Sequence, residues 1–110
     1  MKQVPVQNPE PGFYHHFKHD EKEGSAHHAY EVFGPCRHTE TGEWTVMYRP
    51  MYDLVVDGVP VKICNRPLEM FLEEAQNESG NTVPRFTKIT NSTVIIGLKK
   101  VSSHLYPSVG

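Results

Sequence analysis

Proline and glycine recur along the whole of this chain, which contains nine prolines and eight glycines in 110 residues. Proline interrupts the interior of a helix or a central strand, and glycine weakens both through its conformational freedom. Their spread predicts short elements joined by many turns, with no long helix. At this length, and with 37% apolar residues, we expect one domain with a single hydrophobic core.

Two hairpins are predicted from alternating segments. In "AYEVFGPC" and "WTVMYR" side chains alternate with the period of a strand, and "HTETGE" supplies the turn between them. "LVVDGVPVKIC" places Asp57-Gly58 between β-branched residues, and this pair is favoured in two-residue hairpin turns. The segments "TVPRFTKIT" and "STVIIGLKKV" are also expected to be extended.

Helix signals are confined to "RPLEMFLEEAQNESGN", where Pro67 suits the first turn and Leu68, Phe71 and Leu72 share an apolar face. We expect two or three turns at most. The sum predicts an all-β fold, a small bent SH3-like β-barrel of five or six short strands with one short helix. Residues 1–12 are expected to form an N-terminal arm, 13–101 the barrel domain and 102–110 a C-terminal tail.

The charge balance and the absence of familiar motifs exclude several classes. A net charge of −2 argues against nucleic-acid and membrane partners, which need concentrated basic residues. No segment resembles a signal peptide or approaches the ~20 apolar residues of a membrane span, so a cytoplasmic location is expected. Cys36 and Cys64 are then expected to be reduced. Glycine-rich phosphate loops are absent from the sequence, and no cofactor is predicted.

The strongest site signal combines arginines with tyrosines at strand ends and turns. Guanidinium groups bind carboxylate or phosphate in a two-pronged geometry, while tyrosines supply rings and hydroxyls. The candidate ligand-binding residues are Arg37, His38, Tyr48, Arg49, Tyr52, Arg66 and Glu69. Alternatively, the arginines are structural and pair with Glu40, Glu69 or backbone carbonyls.

Catalytic and metal-binding arrangements are weaker hypotheses. Cys36 and His38 are two residues apart, so on a strand they would project in parallel and not converge as a thiolate–imidazole pair does. His38 as a base oriented by Glu40 or Glu69 is the enzyme alternative.

Five of the seven histidines lie between residues 15 and 28, near Asp20 and Glu21. Adjacent histidines of an extended chain point to opposite sides, and the spacings match no established metal motif. No metal site is therefore predicted.

Several blocks of the sequence, in order, resemble the small bacterial family called domain of unknown function 1653. These blocks are "YHHFK", "YEVFGPCRHTETGE", "VMYRPMY", "RPLEMFLEE" and "VPRF". The resemblance covers Tyr14 to Phe86 and implies a small, mainly β domain without implying an activity. The polar and aromatic residues that match the family pattern are Tyr14, His16, Lys18, Arg37, His38, Glu40, Tyr48, Arg49, Tyr52, Arg66, Glu69 and Arg85.

The chain departs from that family pattern at three places. A short turn is replaced by "HDEKEGSAHHA", a tryptophan before the "RPL" block is missing, and the tail from Thr87 onward lies outside the resemblance.

The sequence thus predicts non-catalytic binding of an anionic small molecule, or of a partner that bears carboxylate or phosphate, at an Arg/Tyr/His edge. A protein-docking module that uses the edge of "STVIIGLKKV" is the first alternative and predicts a homodimer or a paired edge.

Overall fold

The computed structural model describes residues 9–107. The elements in chain order are β1 (Gly12–His16), β2 (Ala29–Arg37), β3 (Trp44–Pro50), β4 (Leu54–Val56), β5 (Val59–Val61), β6 (Cys64–Pro67), α1 (Leu68–Leu72), β7 (Glu74–Gln76), β8 (Thr82–Pro84), β9 (Phe86–Lys88) and α2 (Ser92–Leu105). Five strands form one antiparallel sheet in the order β6-β3-β2-β1-β9, while β4–β5 and β7–β8 are separate hairpins. The predicted mostly β character is confirmed.

Both predicted hairpins are confirmed. β2 pairs with β3 across the turn that contains Gly42, whose φ is 76°. β4 pairs with β5 across Asp57 and Gly58, whose φ values are 51° and 77°. Positive φ at both central residues gives the turn the twist that a two-residue hairpin needs, which is why Asp-Gly is a strong signal.

Alternation along β1, β2 and β3 buries both faces of the large sheet. Tyr14, Tyr30 and Tyr48 point to one face, and Phe13 and Ala29 point to the other. We call the first cluster the aromatic core; it comprises Tyr14, Tyr30, Val32, Val46, Tyr48, Phe71 and Phe86. The second, the helix core, comprises Phe13, Ala29, Met51, Ile89 and Leu98.

The predicted helix after Pro67 is present but shorter than expected. α1 ends at Leu72, and the chain continues as β7, which pairs with β8. Of the predicted apolar face, Phe71 is buried in the aromatic core and Leu68 packs against it, whereas Leu72 is exposed. One buried side chain anchors this single turn.

The segment "STVIIGLKKV" is helical, so the extended conformation predicted for it is wrong. α2 has 14 residues and begins after Asn91, whose side chain accepts the backbone N–H groups of Thr93 and Val94 at 3.0 and 3.1 Å. Val94 packs with Leu98 on the helix core, one turn apart. Burial of this helical face outweighs the modest strand preference of β-branched residues.

The chain ends bear on the predicted domain limits. Residues 1–8 and 108–110 of the predicted arm and tail lie outside the described residues. Pro9 is buried, and Glu10 pairs with Lys88 at 2.7 Å. α2 crosses the boundary placed after residue 101, and Ser102 is buried.

Closure of the sheet into an SH3-like barrel is not observed among residues 9–107. β6 and β9 lie at opposite ends of the strand order and do not pair with each other. Side chains fill the gap, since Phe71 stacks on Phe86 with ring centres 4.2 Å apart and the Arg66 guanidinium lies 5.5 Å from the Phe86 ring centre. The five-stranded sheet is therefore open, and aromatic side chains lie between its two edge strands.

Neither helix of residues 9–107 has the length and apolar character of a membrane span.

Replacing Leu98 by Ala tests the docking of α2. Leu98 is 1% exposed, so the cavity should lower the free energy of unfolding by about 2–5 kcal/mol in urea denaturation. The control is Ile96→Ala on the same helix, where the side chain is 57% exposed and the loss should stay within about 0.5 kcal/mol. Equal losses at both positions would contradict the docked helix.

Candidate functional site

The structure distributes the predicted ligand-binding residues over separate parts of the molecule. Tyr48 and Arg49 are neighbours on β3, and strand alternation sends them to opposite faces of the sheet. Tyr48 lies in the aromatic core with Tyr52 packed against it, whereas Arg49 lies on the side of α2. The predicted set therefore does not form one pocket.

Arg37 and His38 lie at the exposed end of the β2–β3 hairpin. The Arg37 guanidinium stacks 5.6 Å from the Trp44 ring centre. The His38 ring accepts the backbone N–H groups of Glu40 and Thr41 through Nδ1, both at 3.2 Å. His38 thus stabilises its own turn, and its side chain is exposed.

Glu69 is exposed on α1, and it has no ion-pair partner among the described residues. Glu73, which follows α1, does form an ion pair, and its carboxylate lies 2.6 Å from the Arg85 guanidinium.

Arg49 joins the sheet to α2. It donates through Nε to Glu31 Oε1 at 2.9 Å and through Nη2 to Ser102 Oγ at 3.1 Å. Its guanidinium also lies 4.1 Å from the ring centre of Tyr106, whose hydroxyl donates to the Pro50 carbonyl at 2.7 Å. All of these contacts connect β2 and β3 with the end of α2, as a structural residue would.

Three predicted residues do meet, around the aromatic core. Arg66 of β6 donates through Nε to the Tyr48 hydroxyl at 3.3 Å and lies over Phe86. The Tyr52 hydroxyl forms a short hydrogen bond with the Tyr30 hydroxyl. Burial raises the pKa values of Tyr30 and Tyr52, so both phenols stay protonated at neutral pH.

His16 lies beside this group at the end of β1. Its ring centre is 5.1 Å from that of Phe86, with which it pairs across β1 and β9. Burial, together with the positive charges of His28, Arg66, Arg85 and Lys18, lowers the pKa of His16 to about 4. The ring is therefore neutral at pH 7, and its protonation opposes folding as the pH falls from about 6.5 towards 4.

We call His16, Lys18, His28, Arg66 and Arg85 the basic cluster. Its permanent charges are those of Lys18, Arg66 and Arg85, and only Arg85 has a carboxylate partner among the described residues. No carboxylate is among the groups that shift the pKa of His16, and each of the charged groups that do is basic. Within residues 9–107, Lys18 and Arg66 therefore have no ion-pair partner.

Unmet hydrogen-bonding capacity is concentrated in the same place. Within residues 9–107, two buried side-chain nitrogens lack a hydrogen-bond partner, and they are His28 Nδ1 and Arg85 Nε. His28 also has a φ of 49°, which is strained for a residue other than glycine. Unsatisfied polar atoms and strained backbone cluster at functional sites more often than elsewhere.

A groove of about 1040 Å³ borders the basic cluster. It runs between the loop after β1 and the β7–β8 turn, and its lining comprises residues 17–23, 27–28 and 76–79. Lys18 and His28 belong to both the groove and the cluster. Four carboxylates also line it, those of Asp20, Glu21, Glu23 and Glu78.

The histidines of the loop bind the backbone. His15 Nε2, His19 Nδ1 and His27 Nδ1 each form a hydrogen bond with a main-chain group. Among residues 9–107, no group of three or more His, Cys, Asp and Glu side chains is arranged to hold a metal ion. Cys36 and Cys64 are free.

Sequence reasoning left several members of the site out of the predicted set. His16, Lys18 and Arg85 did carry a signal, because they match the family pattern. Tyr30 opens the matching block "YEVFGPCRHTETGE" but was not selected, and His28 carried no signal that distinguishes it from the neighbouring histidines.

The structural role of Arg49 can be tested by substitution. Replacing Arg49 by Ala removes the charged donor that Glu31 and Ser102 share and leaves only the bond from Ser102 Oγ to Glu31 Oε1 at 3.3 Å, so the free energy of unfolding should fall by about 1–3 kcal/mol in urea denaturation. Arg37→Ala, at an exposed arginine on Trp44, should cost less than about 0.5 kcal/mol. Unchanged stability with lost anion binding would instead favour the ligand-binding role predicted for Arg49 from the sequence.

Comparison with known proteins agrees with the resemblance noted in the sequence. The family model for "Protein of unknown function (DUF1653)" matches residues 12–88. The crystal structure of a protein belonging to DUF1653 from Bordetella bronchiseptica is similar at 27% identity with a TM-score of 0.58, over 79% of this chain and 99% of that chain. A search of curated proteins gives no match. The family match ends before α2.

Proposed function

We propose that this chain, which belongs to the DUF1653 family of proteins of unknown function, binds a small anionic ligand at the basic cluster. The ligand is a small molecule or a partner group that bears carboxylate or phosphate, and the proposal is argued from the site alone. One observation carries the proposal. Arg66 holds a guanidinium charge over an aromatic ring, without a carboxylate partner in residues 9–107.

The surroundings of Arg66 suit a binding arginine. Phe86 beneath the guanidinium and the Tyr48 hydroxyl at Nε restrict the orientation of the side chain. These contacts use Nε and one face of the group and leave its two terminal nitrogens for an anion. A guanidinium held in this way loses little further entropy when it binds carboxylate or phosphate.

His16 supplies a neutral hydrogen-bond donor beside that charge. Its Nδ1 accepts the backbone N–H of Lys18 at 3.2 Å, so the proton of the neutral ring lies on Nε2. Lys18, which lines the groove and has no ion-pair partner within residues 9–107, adds a second charge. Arg66, Lys18 and the Nε2–H of His16 together form a donor set for an oxyanion.

The groove argues for a small ligand or a single charged group. Its carboxylates, Asp20, Glu21, Glu23 and Glu78, would repel a long polyanion, and the whole chain has a net charge of −2. Nucleic acid therefore remains a disfavoured partner.

Thermal-shift titration of Arg66→Gln tests the proposal. Inorganic phosphate and glutarate, at about a hundred times their Kd, should stabilise the wild type by about 2.7 kcal/mol, and this gain should be lost in Arg66→Gln. Arg37→Gln removes an exposed arginine outside the cluster and should keep the full shift. Melting of each variant without ligand shows whether it is folded. Equal shifts in the wild type and Arg66→Gln, or no shift with any anion, would contradict the proposal.

Docking to a second copy of the chain is the second candidate function. The strand edge first predicted for this role does not exist, because "STVIIGLKKV" forms α2. Exposed apolar side chains instead collect on and beside the β4–β5 hairpin, where Val55, Val56, Val59 and Ile63 are each 49–60% exposed. Such patches are typical of interaction surfaces.

The double variant Val56→Thr, Val59→Thr tests this docking surface. Threonine keeps the β-branched shape, so the hairpin should persist while its apolar surface shrinks. If the hairpin mediates dimerisation, sedimentation velocity should show the wild type dimerising as its concentration rises and the variant at least about tenfold weaker, for a loss of ~1.4 kcal/mol. A wild type that stays monomeric would remove this candidate.

A further inference from the structure

The segment from residue 17 to residue 28, which we call the histidine loop, is held by bonds between imidazole rings and the backbone. At its start, His15 Nε2 donates to the Ser25 carbonyl at 2.8 Å. Inside it, His19 Nδ1 donates to the His27 carbonyl at 2.6 Å. The 3₁₀ turn Glu21–Glu23 between these points contains no buried residue. Hydrogen bonds between imidazole rings and the backbone therefore help to order this loop, whereas the sheet is ordered by apolar packing.

Two further bonds need an unprotonated ring nitrogen. His27 Nδ1 accepts the backbone N–H of Asp20 at 3.0 Å. His16 Nδ1 accepts the backbone N–H of Lys18 at 3.2 Å. An imidazolium has N–H at both nitrogens and accepts nothing, so protonation of either ring turns an attractive contact into one between two donors.

Ring stacking adds a second penalty for protonation. The rings of His15 and His19 lie face to face with centres 3.6 Å apart and planes 6° from parallel. Burial lowers the pKa of His15, and the positive charge of a protonated His19 lowers it further. Two imidazolium rings at this separation would repel each other strongly, because like charges interact most at short range.

The charges around the loop do not cancel this effect. Within the loop, Lys18 and Lys22 add positive charge, while Asp20, Glu21 and Glu23 add negative charge.

Charges on the packed elements divide in the same way. The positive charges of Arg66 in β6 and of Arg85 before β9 disfavour protonation of His16. Across the groove, Glu78 is the facing carboxylate. The carboxylates thus attract the protonated loop, but each proton taken up by His27 or His16 still removes one acceptor hydrogen bond.

We propose that the histidine loop is an acid-released wall of the groove, ordered while the acceptor nitrogens of His16 and His27 are unprotonated and opened when acid protonates them. Since residues 17–23 and 27–28 form one side of the groove, opening the loop would expose its interior. The opening of the loop does not depend on the proposed function. Only its effect on an anion bound at the basic cluster, to which Lys18 and His28 belong, rests on that function.

Amide hydrogen exchange of the whole chain, followed by NMR between pH 7.5 and pH 5, tests this switch. After correction for the intrinsic rate, protection of the Asp20 and Lys18 amides should fall by about tenfold per pH unit for each proton taken up. Amides of β3 should keep their protection. Unchanged protection at Asp20 and Lys18 over this range would overturn the proposal.

Two variants identify the responsible ring. In His27→Asn the side-chain oxygen accepts the same N–H and takes up no proton, so protection at Asp20 should fall less steeply with pH than in the wild type. His104→Asn, at an exposed site near the end of α2, should retain the wild-type response. A pH response in His27→Asn equal to the wild type would overturn the role of His27.

Near-UV circular dichroism shows whether His27→Asn is folded, and His19→Asn in the same loop replaces it if it is not. His19→Asn removes the stacked pair while its side-chain amide replaces the donor to the His27 carbonyl. In this variant the Asp20 amide should lose its protection at a lower pH than in the wild type, and an unaltered midpoint of that loss would count against the proposal. No ligand is added in these experiments, so the loop switch and the anion site can fail independently.

Discussion

The burial of both faces of one antiparallel sheet is the constraint on which the rest of this structure depends. Along β1, each apolar residue has a neighbour that points to the other face, so Tyr14 enters the aromatic core while Phe13 enters the helix core. A sheet with two apolar faces needs two covers. α1 covers one face and α2 the other, and the long helix is therefore a consequence of the strand pattern rather than an addition to it.

The same alternation explains how much of the fold could be predicted from the sequence. Period-two patterns and Asp57-Gly58 identified both hairpins, because those signals are local. α2 was missed because its β-branched residues favour strands, although Asn91 as a cap and the spacing from Val94 to Leu98 carried a helical signal. Barrel closure could not be judged, since it depends on whether two edge strands meet, and here Phe71 occupies the space between them.

For the site, residue type was predicted better than position. Arginines and tyrosines were expected to converge, and Arg66, Tyr48 and Tyr52 do lie together around the aromatic core. Arg49 was grouped with Tyr48 because both lie at the end of a predicted strand, yet adjacent residues of a strand point to opposite faces. The residues that complete the basic cluster come from β1 and from the segment before β9, and only the three-dimensional order of the strands brings those segments next to β6.

Burial beside the aromatic core also explains why one group keeps its charge where others lose theirs. The same low-polarity surroundings that keep Tyr30 protonated hold His16 neutral, because burial disfavours the charged form of each group. A lysine in such a place would release its proton readily, but a guanidinium keeps its proton in proteins and carries a delocalised charge that stacks on rings. Arg66, over Phe86, is thus suited to stay cationic at the edge of an apolar core. Its charge costs solvation energy there, and an oxyanion that pairs with it would offset that cost at the place where the protein supplies no carboxylate in residues 9–107.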